Sequence, residues 1–244
     1  MPFITQHPPT DPDQPVTLDR RDGPYGEVAL RQRRAAYENR TVYEIIANGC
    51  FLMDSSDGRS ERLLIDAARD TLAASEARKG RTAPRVLIGG LGVGFSLAHA
   101  AADPFWSRVA VVEREQAIID WHRTGPLSAI SAEALADPRT EIITGDLVAY
   151  IHNASDTYDA LCLDIDNGPD WTVTEDNASL YSPAGLAACA RRLTPGGVLA
   201  VWSARPSADF EESLRNAGFT RVRTEEIRVA RGVPDVVYLA VRPA

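Results

Sequence analysis

The sequence has little of several things that would mark a particular class of protein. Cysteine occurs three times, at Cys50, Cys162 and Cys189, and no pair has the spacing of a metal site or a redox motif. The apolar surroundings of all three predict buried, reduced thiols and a cytoplasmic protein. Basic residues are outnumbered, 26 Lys and Arg against 34 Asp and Glu, for a formal net charge of −8. That balance excludes a nucleic-acid binder that works through a broad basic face. No apolar run approaches the length of a membrane span. The opening stretch MPFITQHPPTDPDQP lacks the basic segment and apolar run of a secretory signal, so neither membrane nor export is expected. The histidines, His7, His99, His122 and His152, share no spacing and are given no role. Ser203 has no glycine-flanked elbow around it, which argues against triad chemistry. What remains is a globular chain of 244 residues, suited to one large domain with a small appendage.

What is present is organised around residues 85–94, RVLIGGLGVG. A buried strand (Val86, Leu87, Ile88) runs into Gly89, Gly90, Gly92 and Gly94, and a helix opens at Phe95. Glycines at such a junction reach backbone angles other residues avoid and let the main chain approach a ligand closely. A second strand ends in Glu113, 19 residues after Gly94, the spacing at which a carboxylate reaches the hydroxyls of a ribose bound over the turn. Close helix–strand packing for the glycines and a solvated acid for Glu113 are the plainer alternatives. Together the parts predict an adenosine-binding α/β domain.

Residues 1–20 read as a flexible tail, 21–60 as a small β region and 61–244 as the main domain. Within the β region, Asn48-Gly49 sits between alternating segments and predicts a tight hairpin whose central residues both take positive φ. From 61 onward helices and strands alternate: a helix over 61–78, then strands near 86–90, 108–113, 140–144, 158–164 and 197–203 with helices between them. The last two strands, near 220–229 and 235–242, are joined by too short a turn for a crossover and must be antiparallel. A seven-stranded, mostly parallel sheet ending in such a hairpin is the Rossmann-like class I methyltransferase fold.

Ligands of open α/β sheets bind beyond the carboxyl ends of the strands. After the third strand of this domain come Asp146 and Leu147; Asp146 suits a helix N-cap and also a partner for an adenine amino group. After the fourth comes LCLDIDNGPDW, with Asp164, Asp166 and Asp170 within seven residues. Turn chemistry alone accounts for such a composition. Clustered carboxylates also raise one another's pKa, and one facing an amine can take its proton as nitrogen attacks. A divalent metal would need more oxygen ligands than can be found, so no metal is expected. The segment 167–183, with Trp171 and Tyr181, reads as a lid or as a surface loop anchored by two aromatics.

Taken together, RVLIGGLGVGF, VVERE, TGDL, YDALCLDIDNGPD, LYSPAGLAACARRLTPGGVLAVWSA and the final hairpin resemble the spermidine synthase family, most closely its short bacterial members. The resemblance spans roughly residues 25–243 and is strongest over 85–204. It implies a small N-terminal β domain, a class I methyltransferase-like catalytic domain, a homodimer and a donor of the S-adenosylmethionine type. By position, Gly89, Gly90, Gly92 and Gly94 would line the nucleoside and sulfonium site, Glu113 the ribose and Asp146 the adenine. Asp164 would be the amine-activating base, Asp166 a second acid at the acceptor, and Tyr181 would fall where a gate loop returns.

The family also has a glutamine and a Tyr-His-Glu segment before the first helix. Here the stretch is MDSSDGRSERLLIDAA, without the glutamine or the Tyr-His pair and with Arg59 and Arg62, while Leu91 and Val93 replace the usual acid in the glycine turn. A cationic polyamine is poorly received beside arginine, whereas a carboxylate on donor or acceptor is welcome. The expectation is therefore a transferase using S-adenosylmethionine, moving a methyl group to a small amine or hydroxyl. Aminopropyl transfer from the decarboxylated donor is the near alternative, followed by aminocarboxypropyl transfer or cyclisation and by a non-catalytic nucleoside-binding protein. A nicotinamide oxidoreductase fits the glycine pattern and hairpin badly.

Overall fold

The computed structural model describes residues 14–35, 40–75, 83–165, 167–170, 172, 175–227 and 233–244. The chain divides into two compact units, Met1–Ser56 and Asp57–Ala244. Among the described residues no helix is long and apolar enough to cross a membrane.

The first unit is an antiparallel sheet of β1 (Val16–Gly23), β2 (Gly26–Arg34), β3 (Thr41–Ala47) and β4 (Cys50–Asp54), in that spatial order. β1 starts at Val16, so residues 16–20, expected in the tail, are paired strand instead. Asn48 (φ 50°) and Gly49 (φ 78°) turn β3 into β4 as expected. The turn is tied down: Asn48 Oδ1 accepts from Glu27 N (2.9 Å) and Nδ2 donates to the Tyr25 carbonyl (3.2 Å). Cys50 follows this turn and is exposed, which corrects the expectation that all three thiols are buried. Cys162 and Cys189 are buried, and burial pushes both thiols up, away from thiolate.

The second unit is a seven-stranded sheet in the order β10-β11-β9-β8-β5-β6-β7. Its central strands are β5 (Arg85–Gly89), β6 (Arg108–Glu113) and β8 (Tyr158–Leu163). Outside them lie β7 (Thr140–Thr144), β9 (Leu193–Ser203), β10 (Thr220–Ile227) and β11 (Asp235–Val241). The central strands are continuous apolar runs because helices cover both of their faces; Val86, Leu87, Ile88, Ala110, Val111, Ala160 and Leu161 are wholly buried. β5 pairs in parallel with β6 on one side and with β8 on the other. The chain therefore leaves β5 in one direction and returns on the opposite side, opening a crevice at the β5/β8 carboxyl edge. β11 runs antiparallel between β9 and β10.

Among the described residues the unit has seven α-helices, α1 (Arg59–Ala73), α2 (Phe95–Ala102), α3 (Gln116–Arg123), α4 (Ser128–Ala136), α5 (Leu147–Asn153), α6 (Pro183–Arg192) and α7 (Ala208–Asn216), and a 3-10 turn of helix at Glu175–Tyr181. α4 has no counterpart in the sequence reading. Its SAISAEALA is too evenly small and apolar to show a stripe, and only Ser131 and Ala134 are buried.

Candidate active site

The site is built at the β5/β8 crevice from the glycine turn outward. Gly90 (φ 86°), Gly92 (φ 49°) and Gly94 (φ 96°) all take the left-handed region. A Cβ on Gly90 would lie 2.8 Å from the carbonyl oxygen of Asp164, so the two strand ends touch backbone to backbone there. A Cβ on Gly89 would meet Leu147 at 2.5 Å, which places Leu147 against the floor of the turn. The turn is strung by Gly90 N donating to the Val112 carbonyl (3.0 Å) and Gly94 N donating to the Leu91 carbonyl (2.9 Å).

Glu113 ends β6 and is buried, 6% exposed. Its Oε2 accepts from Leu91 N (2.9 Å) and its Oε1 from Glu115 N (2.8 Å). Burial pushes its pKa up, opposed by these amide donors. A carboxylate offers about four acceptor positions, so these amides do not exhaust it and a ribose hydroxyl could still be received. Asp146 caps α5, with Oδ1 accepting from Ala149 N (2.7 Å). The capping role is thus real, and it orients the carboxylate at the carboxyl edge of the sheet. These residues fit a nucleoside: a cradle only glycine allows, flanked by two held acids.

Asp164 is the centre of the charged part. Its Oδ2 accepts from the Ser96 hydroxyl (3.1 Å) in the first turn of α2, and burial pushes its pKa up to about 6. Glu61, in the first turn of α1, faces it, and burial with the Asp164 charge nearby pushes Glu61 up to about 8. Two carboxyls that feel one another titrate as a pair and hold a shared proton longer than either alone. Phe95 brings them together. The start of α1 packs so closely on its ring that a Cβ on Gly58 would meet it at 2.6 Å, and the next residue, Ser96, holds Asp164. Asp235 lies beside the same helix end, accepting from the Ser60 hydroxyl (2.8 Å).

Glu61 escaped the sequence reading because an acid in the first turn of an amphipathic helix is ordinarily a partner for the helix dipole. It carries a test of its own. An acid whose pKa is higher in the folded chain than in the unfolded one favours folding at low pH and costs stability as pH rises from the unfolded value through the folded one. Glu61→Gln is therefore expected to raise the thermal midpoint at pH 9, by a gain on the order of 1 kcal/mol, and to leave it nearly unchanged at pH 4. Equal shifts at both pH values would show that no strained charge resides there.

Other expected site residues fall differently. Arg59 forms an ion pair with Asp57 (2.6 Å) and is largely exposed, so its guanidinium is already engaged. Arg62 lies over the Phe95 ring, 5.0 Å from its centroid. Tyr181 is 8% exposed and packs edge-on against Phe210 at 5.6 Å. It anchors the return of the 167–183 segment, just before α6. Asp170 is exposed, and its carbonyl accepts from Arg205 (3.3 Å). Asp166 and Trp171 lie outside the described residues.

The fold built around this crevice is similar to that of spermidine synthase in complex with the transition-state analogue AdoDATO, with a TM-score of 0.72 over 93% of this chain and 73% of that one at 15% identity. It is also similar to spermidine synthase from Thermotoga maritima, with a TM-score of 0.69 over 93% and 72% at 16% identity. In sequence, polyamine aminopropyltransferase 2 of Pseudomonas aeruginosa is 25% identical over 252 residues, 91% of this chain and 66% of that protein. The polyamine aminopropyltransferase of Mycobacterium tuberculosis is 27% identical over 204 residues, 80% of this chain and 38% of that protein. In sequence the chain is thus similar to polyamine aminopropyltransferases, and in fold to spermidine synthases. The chain also shares 33% identity over 119 residues with the polyamine aminopropyltransferase of Nitrosomonas europaea, 34% of that protein's length. It thus spans about two thirds of one of these relatives and little more than a third of the others. No protein-family model matches it.

Proposed function

We propose that this chain is an aminopropyltransferase, moving the aminopropyl group of decarboxylated S-adenosylmethionine to a small amine. The observation that carries the reading is the half-buried Asp164 carboxyl, held by Ser96 at the crevice between the glycine turn and β8. Asp164 carries the negative charge here and Glu61 beside it can give up its proton to a bound cation, and both the sulfonium donor and an alkylammonium acceptor are cations. The preference for methyl transfer rested on Arg59 and Arg62 meeting a carboxylate. Arg59 is paired to Asp57 and Arg62 lies over the Phe95 ring, which gives that preference less weight. The polyamine aminopropyltransferases among the relatives lend support in the same direction.

The step is a displacement at carbon. The acceptor nitrogen forms a bond to the propyl carbon as the carbon–sulfur bond breaks, and the electron pair leaves with sulfur as neutral methylthioadenosine. An alkylamine has a pKa near 10 in water and must lose a proton to attack. A low-dielectric site narrows the gap, lowering the ammonium and raising the carboxyl, so Asp164 can take that proton. The protein's larger contribution is alignment: the glycine turn sets the sulfonium and Asp164 sets the nitrogen.

Calorimetric titration with decarboxylated S-adenosylmethionine, S-adenosylmethionine and methylthioadenosine tests the reading. The decarboxylated donor is expected to bind at least about tenfold more tightly than the carboxylated one, a difference of about 1.4 kcal/mol. Methylthioadenosine release should then require an added amine. Preference for S-adenosylmethionine would return the chain to methyl or aminocarboxypropyl transfer. Binding without turnover for any amine would leave a nucleoside-binding protein.

A further inference from the structure

We propose that His122 is a positioning residue for the nucleoside site, a buried strut that fixes the glycine turn from behind. The inference rests on reading that turn as the donor's cradle. His122 lies in α3, is 1% exposed and makes two hydrogen bonds. Its Nε2 is 2.9 Å from the Gly92 carbonyl, and its Nδ1 is 2.7 Å from the Ser131 hydroxyl of α4. A carbonyl can only accept, so Nε2 carries the hydrogen, and in the neutral ring Nδ1 accepts from Ser131, whose one hydroxyl hydrogen favours this 2.7 Å contact over the 3.3 Å approach to the Leu127 carbonyl. Burial favours that neutral ring. The ring also bounds the turn sterically, since a Cβ on Gly94 would come within 2.7 Å of its Cε1.

The need for such a strut follows from the turn's composition. Three glycines at positive φ give the turn its shape and also leave it free to adopt others at little cost. A donor binding to an unfixed turn pays for ordering it, whereas a turn held in place has that cost removed in advance. Two ties come from β6, the Val112 carbonyl to Gly90 N and the Glu113 carboxylate to Leu91 N, and one lies within the turn, from Gly94 N to the Leu91 carbonyl. The ties from β6 secure the first half of the turn. His122 secures the second half, at the Gly92 carbonyl, and α4 supplies Ser131 to hold the imidazole in the required tautomer. α4 thus acquires a purpose that its bland sequence conceals.

The test is calorimetric titration of methylthioadenosine into the wild type, His122→Phe, His122→Gln and Ser131→Ala, each with its thermal midpoint. Phe keeps the ring volume and removes the donor. It is expected to weaken binding about tenfold, the worth of one buried hydrogen bond. Gln carries a terminal N–H of similar reach and is expected to restore affinity to within about threefold of wild type, and Ser131→Ala to lose about threefold. A merely structural ring would lower the midpoint without separating Gln from Phe in affinity. Equal affinities for Phe and wild type, or for Gln and Phe, would overturn the proposal. If Phe does not fold, undiminished binding by Ser131→Ala overturns it. Absence of binding by the wild type is a different failure, which sinks the nucleoside reading of the turn and this role with it.

Discussion

Asp164→Asn is expected to lower turnover by about 10²–10⁴-fold, the usual worth of a positioned general base. Methylthioadenosine should still bind within about twofold of wild type, far below the 1.4 kcal/mol of a tenfold change. The amide is nearly the same size, and its oxygen can accept from Ser96 as the carboxylate does now. The fold of the crevice should therefore persist, and the loss should lie in the chemical step. The pH profile sharpens the test. Asp164 must be ionised to receive a proton, and burial has pushed it up to about 6. Wild-type turnover should fall on the acid side of that value and level off above it, while the residual rate of the Asn variant should lack that limb. Turnover by Asp164→Asn close to wild type would remove Asp164 from the mechanism.

Gly90→Ala is the second large effect, and it attacks binding instead of chemistry. The residue sits at φ 86°, and its new Cβ would press to 2.8 Å on the Asp164 carbonyl, a backbone atom with nowhere to go. Backbone strain of this kind costs about 1–3 kcal/mol, and relief requires moving either the turn or the end of β8. Nucleoside affinity should drop by at least about tenfold, and the thermal midpoint by about 2–4 °C for each kcal/mol lost. Gly218→Ala is the control. Gly218 has φ 89°, but nothing lies within 4 Å of a Cβ there. It should lower the midpoint and leave binding alone. Matching behaviour of the two variants would mean that the close approach at Gly90 is immaterial.

The parts of the site legible in the sequence are those whose position follows from the ends of strands. The glycine turn, Glu113, Asp146 and Asp164 each lie just beyond an apolar run, and the sheet topology carries all of them to one edge. What was not legible depends on which side chains meet across helices. Arg59 reads as a free cation until its neighbour Asp57 is seen to hold it. Glu61 reads as a helix-start acid until α1 is seen to lie on Phe95, beside Asp164. Tyr181 in a polar segment reads as part of a cover, yet its ring packs with Phe210. His122 has no partner in sequence; its partners are a carbonyl 30 residues earlier and a hydroxyl nine residues later. In the first unit, the tight turn at Asn48-Gly49 was plain from two residues, whereas the start of β1 depends on its pairing with β2 and was not.

The place of β11 bears on how the sheet is completed during synthesis. It is the last strand in chain order, yet it lies inside the sheet, and Val236, Val237, Leu239 and Ala240 are wholly buried. Until those residues emerge from the ribosome, β9 presents an open edge and β10 has no neighbour to dock against. The nascent chain therefore passes through a stage in which most of the crevice exists but one flank of its sheet is unsealed. Such an edge is a template for pairing with other chains, so closure of this hairpin is the step at which aggregation competes with folding.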